Sequence, residues 1–244
     1  LLITGIASLV GAVNLITTCL NMRAPGMTLF RMPVFTWMSL VTQVLLLFAI
    51  PVLTSAQFLL LFDRLFGARF FDVSAGADPL LWQHLFWIFG HPEVYIIFLP
   101  AIALLAMIIP TFAGRPIVGY SWIVLAAVGT GFLSFGLWVH HMFTTGLPQI
   151  SLAFFSAASE AVAIPTGVQI FVFIATLLAG RAIFSTPMLF GAGGIAIFVV
   201  GGLGPLAYVL VLYAVKMAPL SHVAPAREVS MLFAALIGGR LLGE

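Results

Sequence analysis

The stretch "LFWIFGHPEVYIIFLP", residues 85–100, places a histidine, a carboxylate and a phenol within five residues of an otherwise apolar run. His91 and Tyr95 are four positions apart, so a helix through this stretch carries them on one face, whereas Glu93 points away from that face. The stretch lies inside a longer apolar run, residues 80–109, which is long enough for a membrane-spanning helix. The stretch therefore predicts a helix that carries ionisable groups at membrane depth.

The composition places the whole chain in a membrane. Of its 244 residues 63% are hydrophobic and only 7% are charged, and the mean hydropathy is +1.23. Apolar segments of bilayer length recur along the chain, and helices are the expected spanning elements. A net charge of +2 does not indicate a nucleic-acid partner. The single Cys19 has no second cysteine with which to form an internal disulfide.

The fold prediction is all-α, a polytopic transmembrane helix bundle of about seven spans. Prolines at 51, 92, 100 and 165 fall inside spans and are expected to kink them. The predicted spans cover residues 1–20, 33–62, 80–109, 117–141, 150–178, 187–215 and 227–242.

Ionisable residues inside spans are expensive and point to function. Here they are His84, His91, Glu93, His140, His141 and Glu160. A lone intramembrane histidine is more often a packed, hydrogen-bonded core residue than a ligand. Three imidazoles beside a phenol, however, would suit copper or another transition metal that prefers nitrogen. Adjacent helical residues diverge by about 100°, so His140 and His141 could share one metal only at a loosened helix end. Binding needs neutral imidazoles, so affinity is expected to fall below a pH of about 6.5.

Two motifs about fifty residues apart, "HPEVY" and "WVHHMFTTG", resemble the large catalytic subunit of the haem–copper oxidases. The blocks "NMRAPGMTL", "FFDVSAGADPLLWQHLFWIFGHPEVY", "AIPTGVQIF" and "TPMLF" extend that resemblance over residues 1–203. It implies part of a twelve-helix architecture, with the chain an excerpt that begins at the fourth helix. The function it implies is a segment of a proton-pumping respiratory oxidase that reduces dioxygen to water with electrons from cytochrome c or quinol.

The resemblance also implies residue roles. His91, His140 and His141 would be copper ligands, Tyr95 would be cross-linked to His91 and donate an electron and a proton, and Glu93 would transfer protons. The remaining implied roles fall to Ser8, Asn14, Thr166 and Gln169 on proton paths and to Trp87 and Thr144 near the haem. Ser8 and Asn14 match one proton path of the family, and Thr166 and Gln169 match a second. In the family the second path has a lysine where this chain has Gln169 and a serine where it has Ala106, so the second path is in doubt in this chain. Relatives usually have an apolar residue where this chain has Glu160, and the sequence gives no reason for a carboxylate there.

The end of the chain departs from the family. From about residue 204 it reads "GPLAYVLVLYAVKMAPLSHVAPAREVSMLFAALIGGRLLGE", which resembles late helices of drug/metabolite (EamA-like) transporters. The predicted domains are a partial oxidase domain, 1–203, and a transporter-like tail, 204–244. Lys216 and Arg227 would lie on the outer side if span six crosses fully, against the positive-inside rule. Three functions stay open: an oxidase segment, a transporter fragment and a non-functional fusion.

The expected cofactor is copper, held by the three histidines. Haem is expected for the family, but the axial haem ligands are expected to be missing from this chain, which would then be inactive alone. His222 belongs to the tail and is not expected to be a haem ligand. The expected partners are the lipid membrane, oxidase subunits two and three, cytochrome c or quinol, and dioxygen. The expected location is a bacterial inner membrane, as a multi-pass protein.

Overall fold

The computed structural model describes residues 1–202, and every regular element in that part of the chain is helical. The predicted tail at 204–244, with Lys216, His222, Arg227 and the seventh predicted span, lies outside the described residues. So does the second half of the sixth span. The helices are α1 (Leu2–Asn21), α2 (Val34–Phe66), α3 (Leu80–Ala113), α4 (Tyr120–Ser134), α5 (Gln149–Ala161), α6 (Ala163–Ala179) and α7 (Thr186–Gly202).

Four helical segments in the described part are long and apolar enough to cross a membrane: α1, α2, α3 and the consecutive pair α5–α6. Helices α4 and α7 are apolar but shorter. Each of the first six predicted spans therefore has a helical counterpart. The prediction of an all-α transmembrane bundle is confirmed for this part of the chain.

Two spans end differently from the prediction. Span four was expected to be helical to residue 141, but α4 ends at Ser134, and residues Trp138–Met142 form a separate 3₁₀ turn. Span five is divided at Val162, between α5 and α6. Pro165 explains this break, because it lacks the N–H that would bond to the carbonyl of Ala161, the last residue of α5. In α3, by contrast, the helix continues through Pro92, Pro100 and Pro110.

The chain divides into two compact units, Leu1–Gly191 and Ala192–Glu244, and the described part of the second is the end of α7. The predicted domain boundary near residue 203 stays a prediction. In the first unit α2 packs against α1, α3 and α4, and α6 packs against α3 and α4. The fully buried core includes Met38, Leu45, Leu99, Ile109, Ile123 and Phe173. This packing sets α3 beside the Trp138–Met142 turn, where the predicted metal ligands lie.

Candidate metal centre

The three predicted histidine ligands come together in the structure. His91 lies in the middle of α3 and is buried, while His140 and His141 lie on the Trp138–Met142 turn and are more exposed. One ring nitrogen from each lies within 4.8 Å of the other two. The 3₁₀ turn is the loosened helix end that two adjacent residues need in order to face one point.

The nitrogens that face each other are spaced as a metal site requires. Nδ1 of His91 lies 3.2 Å from Nε2 of His141, and Nε2 of His140 lies 3.1 Å from the same atom. Metal–imidazole bonds of about 2.0–2.1 Å would put three nitrogens of a trigonal set about 3.5 Å apart. The donor set therefore fits one ion with small adjustments. Three imidazoles with no carboxylate favour copper or a similar metal over calcium or magnesium.

Tyr95 lies beside His91, as the spacing of four predicts. The two ring centroids are 4.9 Å apart, at an interplanar angle of 56°. The other ring nitrogen of His91, Nε2, is buried and has no hydrogen-bond partner within the described part of the chain. Because Nδ1 faces the other histidines, Nε2 is the His91 atom left open to a further group.

Trp87 contacts the site directly. Its ring stacks on the His141 ring with centroids 4.0 Å apart and an interplanar angle of 9°. Trp87 is one turn before His91 on α3, so one helix face carries both a ligand and the ring that holds a second ligand. Thr144, which was predicted near the same centre, lies three residues beyond His141 in the sequence and is exposed. A role of either residue toward haem stays a prediction.

Sequence reasoning missed Ser159, which holds His140 from the opposite side. The hydroxyl of Ser159 on α5 donates to the Phe155 carbonyl at 2.6 Å and lies 2.7 Å from Nδ1 of His140. A hydroxyl has a single proton, and Ser159 donates it to the Phe155 carbonyl. In the contact with His140 the Ser159 oxygen must therefore accept, and Nδ1–H of His140 must donate. This tautomer leaves the lone pair of His140 on Nε2, the atom that faces His141. The only signal in the sequence is a small hydroxyl residue in an apolar span.

The predicted proton-path residues do not lie in one place. Ser8 and Asn14 lie on α1, where Ser8 donates to the Thr4 carbonyl at 2.9 Å and Asn14 is exposed. Thr166 is on α6 and donates to the Val162 carbonyl at 2.8 Å. Glu93 is half-buried on α3. The path from Ser8 and Asn14 to Glu93 stays a prediction, and so does the second path, to which Thr166 and Gln169 belong.

Gln169 is fully buried on α6 and contacts Thr130 of α4. Its amide nitrogen donates to the Thr130 hydroxyl at 3.1 Å, and its amide oxygen has no partner in the part of the chain that the structure describes. Ala106, the other departure on this path, is buried on α3, whereas Glu160 is exposed at the end of α5. Glu160 is therefore not a buried substitute for a charge at residue 169.

Comparison with known proteins shows the family of the chain. The family model described as Cytochrome C and Quinol oxidase polypeptide I matches residues 1–215. The chain belongs to this family. The match extends beyond the boundary predicted near 203 and covers the first residues of the predicted tail. Membership confirms the family resemblance that the "HPEVY" and "WVHHMFTTG" motifs indicated.

Three curated relatives are each named cytochrome c oxidase subunit 1. The protein from Bacillus subtilis is 49% identical over 200 residues, that from Cereibacter sphaeroides 50% and that from Bacillus sp. strain PS3 48%. In each case the match covers 82% of this chain but 32–35% of the relative. The chain thus spans about a third of the length of the curated relatives it matches. It is a multi-pass membrane protein of an oxidase family.

Proposed function

We propose that this chain is a segment of a respiratory terminal oxidase subunit and that it carries the copper site. The observation that supports the proposal is the convergence of Nδ1 of His91 with Nε2 of His140 and Nε2 of His141. Copper bound there would supply a one-electron redox couple at membrane depth. By family membership, the complete subunit would reduce dioxygen to water with electrons from cytochrome c or quinol and would move protons. Its partners would be oxidase subunits two and three in a bacterial inner membrane.

The chain's own side chains would prepare this site in distinct ways. Trp87 stacks on one flat face of His141, and Ser159 fixes the tautomer of His140. Tyr95 places a phenol beside His91, and Glu93 places a half-buried carboxyl two residues further along α3. In this proposal Tyr95 donates a proton and an electron, and Glu93 passes protons toward the site. Gln169 can form hydrogen bonds but cannot carry a charge, so the path through Thr166 and Gln169 does not deliver protons by a titrating group.

The His91–Tyr95 cross-link is proposed to be absent from this chain. Such a bond would join Nε2 of His91 to the Tyr95 ring and remove one hydrogen from each partner, with two electrons passing to an oxidant. In the family this is expected to need copper and oxygen turnover, which this chain alone is not expected to sustain. Peptide mass spectrometry should therefore show the His91–Tyr95 peptide at its unmodified mass. A mass lower by two hydrogens would contradict the proposal.

The chain is proposed to bind copper but not haem. It has five histidines, and three of them converge at the copper site. Haem iron would be left with His84, whose Nδ1 already accepts a hydrogen bond from Trp138, or with His222 of the tail. We therefore expect about one copper per chain, no stoichiometric haem and no oxygen reduction.

The test is expression of the full chain in a haem-replete membrane, then metal analysis and a reduced-minus-oxidised spectrum of the purified protein. Copper at one per chain without a haem band would support the proposal. A haem band at one per chain would overturn the haem statement, and a chain without copper would overturn the site. The transporter alternative rests on residues 204–244 alone, and no observation in the described part of the chain favours it.

A further inference from the structure

One face of α3 docks the turn that carries two of the three histidines. Residues 84, 87 and 91 are spaced three and four apart and therefore share that face. Each of them contacts the Trp138–Met142 turn: His84 contacts Trp138, Trp87 stacks on His141, and His91 meets both His140 and His141. The turn is thus held along two successive turns of one helix, and His84 is at the far end from the metal site.

The contact at that end is directional. The indole Nε1 of Trp138 lies 3.2 Å from Nδ1 of His84, and the two rings meet edge to face, with centroids 6.5 Å apart. An indole N–H can only donate, so Nδ1 of His84 must be the acceptor and the ring proton must be on Nε2. On its other side the Trp138 ring packs against Phe155 of α5, with centroids 5.2 Å apart. Trp138 is therefore held between two helices, and the hydrogen bond fixes where along α3 it sits.

The turn depends on side-chain contacts such as these, and on that between His140 and Ser159, because its backbone gives it little support. Helix α4 ends at Ser134, so no continuous helix carries its geometry into the turn, and 3₁₀ hydrogen bonds are weaker than α-helical ones. Ring stacking, as between Trp87 and His141, tolerates sliding in the ring plane better than a hydrogen bond does. Among the described residues, two polar contacts join α3 to the turn: the one between His91 and His141, which are both predicted metal ligands, and the His84–Trp138 hydrogen bond. The His84–Trp138 bond is the one that involves no predicted ligand, so it can set the position of the turn along α3 independently of the metal.

We infer that His84 is a positioning residue for the metal site, acting through Trp138 on the turn that carries His140 and His141. The inference rests on the proposed function, because it assigns His84 a role in the affinity of that site. His84 is neither a copper ligand nor a haem ligand in this arrangement, since the nitrogen nearest the turn is used by Trp138. This gives a role to the one intramembrane histidine that the proposed oxidase chemistry does not use.

The test compares two substitutions of the same residue in the full chain. His84→Asn keeps an acceptor atom near the position of Nδ1, whereas His84→Leu has similar bulk and no acceptor. The first readout is the indole N–H resonance of Trp138 in the chain labelled at its five tryptophans, assigned with Trp138→Phe. The second is the copper dissociation constant, measured by chelator competition.

We expect His84→Leu to shift the Trp138 resonance to that of an unbonded indole and to weaken copper binding by about 10- to 100-fold, the range for residues that orient metal ligands. His84→Asn should keep the resonance and bind copper within a few-fold of the unchanged protein. Trp138→Phe should weaken binding as His84→Leu does, and combining the two should add little, because both remove the same bond. Trp82→Phe is the matched control, since Trp82 is on α3 but packs on Phe71 and Phe86.

The outcomes separate this inference from the proposed function. If the unchanged chain binds copper and His84→Leu binds it equally well, the inference is wrong and the copper site stands. If the unchanged chain binds no copper, the proposed function is wrong, and the indole resonance still decides whether His84 holds Trp138. If His84→Leu does not fold, by circular dichroism, then the pair Trp138→Phe and Trp82→Phe decides the question: equal copper affinities would overturn the inference.

Discussion

Two groups of polar side chains lie in the same helix bundle, and their hydrogen bonding differs in kind. At the histidine site Nε2 of His141 lies 3.1–3.2 Å from a ring nitrogen of His140 and of His91, and all three nitrogens lie within 4.8 Å of one another. The contact with Ser159 leaves the lone pair of His140 directed inward. Between α4 and α6, Gln169 donates to Thr130 at 3.1 Å and no third polar group joins them in the described residues. The first group is arranged for a ligand that supplies positive charge, whereas the second is a neutral pair.

The difference shows how a bundle makes use of polar groups that are costly to bury. A buried acceptor without a donor costs free energy unless a ligand or water supplies the missing contact. At the histidine site several acceptors converge, so a single cation would satisfy them together. At Gln169 one amide oxygen is left alone, and nothing around it adds a second ligand. Binding should therefore depend on the first group and folding stability on the second.

The largest effect is expected from removing a ligand. His140→Ala leaves only two of the three converging nitrogens. Removing a residue that merely orients a ligand lowers metal affinity by about 10- to 100-fold. Removing a ligand itself should therefore lower copper affinity by more than about 100-fold. Metal analysis of the purified variant should show far less than one copper per chain. His222→Ala is the control, since it removes a histidine of the tail that is not among the three predicted ligands, and it should retain copper. Equal loss in both variants would contradict the site assignment.

The next effect tests how the site is oriented. Ser159→Val removes the acceptor for Nδ1–H of His140, so copper affinity should fall by about 10- to 100-fold, while Ser159→Thr should retain it. Ser156→Val is the matched control, because Ser156 makes the same bond to the carbonyl four residues earlier, at 2.7 Å to Leu152. Chelator competition on the three variants decides the point. Equal affinities in Ser159→Val and Ser159→Thr would show that the hydroxyl does not orient His140.

The sequence predicted the helices and the ligands better than it predicted their surroundings. Hydropathy located the described spans, because bilayer thickness sets the length of an apolar helix. Through family resemblance, the motifs around His91 and His140 pointed to the three histidines that the structure brings together. The contact between Ser159 and His140 was not predicted. It depends on α5 packing against the Trp138–Met142 turn, and that turn was predicted to be the helical end of span four. The Gln169–Thr130 pair was not predicted for the same reason: a hydropathy pattern does not say which helices are neighbours.

A smaller effect, on stability alone, is expected between α4 and α6. Thr130→Val removes the acceptor for the Gln169 amide and should lower the free energy of unfolding by about 1–3 kcal/mol. The double variant Thr130→Val with Gln169→Leu replaces both partners with apolar groups and should recover most of that loss. Reversible unfolding in mixed micelles would measure both, and copper affinity should change in neither.

The control for this pair is another buried threonine. Thr42 on α2 donates to the Met38 carbonyl at 2.8 Å, a bond within its own helix, so Thr42→Val leaves no buried donor unpaired. Its cost should be below about 1 kcal/mol. If Thr42→Val and Thr130→Val cost the same, the hydrogen bond to Gln169 is not what stabilises this interface. If the double variant is less stable than Thr130→Val, the pair is not the neutral contact described above.

The smallest effect on stability is expected for a side-chain hydrogen bond that is exposed to solvent. Asp72, in the loop between α2 and α3, accepts hydrogen bonds from the hydroxyl of Ser74 at 2.6 Å and from its backbone N–H at 2.9 Å. These bonds, with a smaller contribution from the charge of Arg69, hold the pKa of the Asp72 carboxyl below its ordinary value. Because the folded value is the lower one, the stabilisation is present above a pH of about 3.9 and is lost as the pH falls through the folded value.

Ser74→Ala tests this contact by removing the hydroxyl while keeping the backbone N–H. A carboxyl-carbon NMR titration should then show the Asp72 midpoint move upward toward the ordinary value. The free energy of unfolding should change much less than in Thr130→Val, and the copper affinity should not change, because the contact between Asp72 and Ser74 is exposed and water replaces most of the lost bond. If Ser74→Ala destabilised the chain as much as Thr130→Val, burial would not explain why hydrogen bonds in the bundle contribute more to stability than hydrogen bonds in the loop.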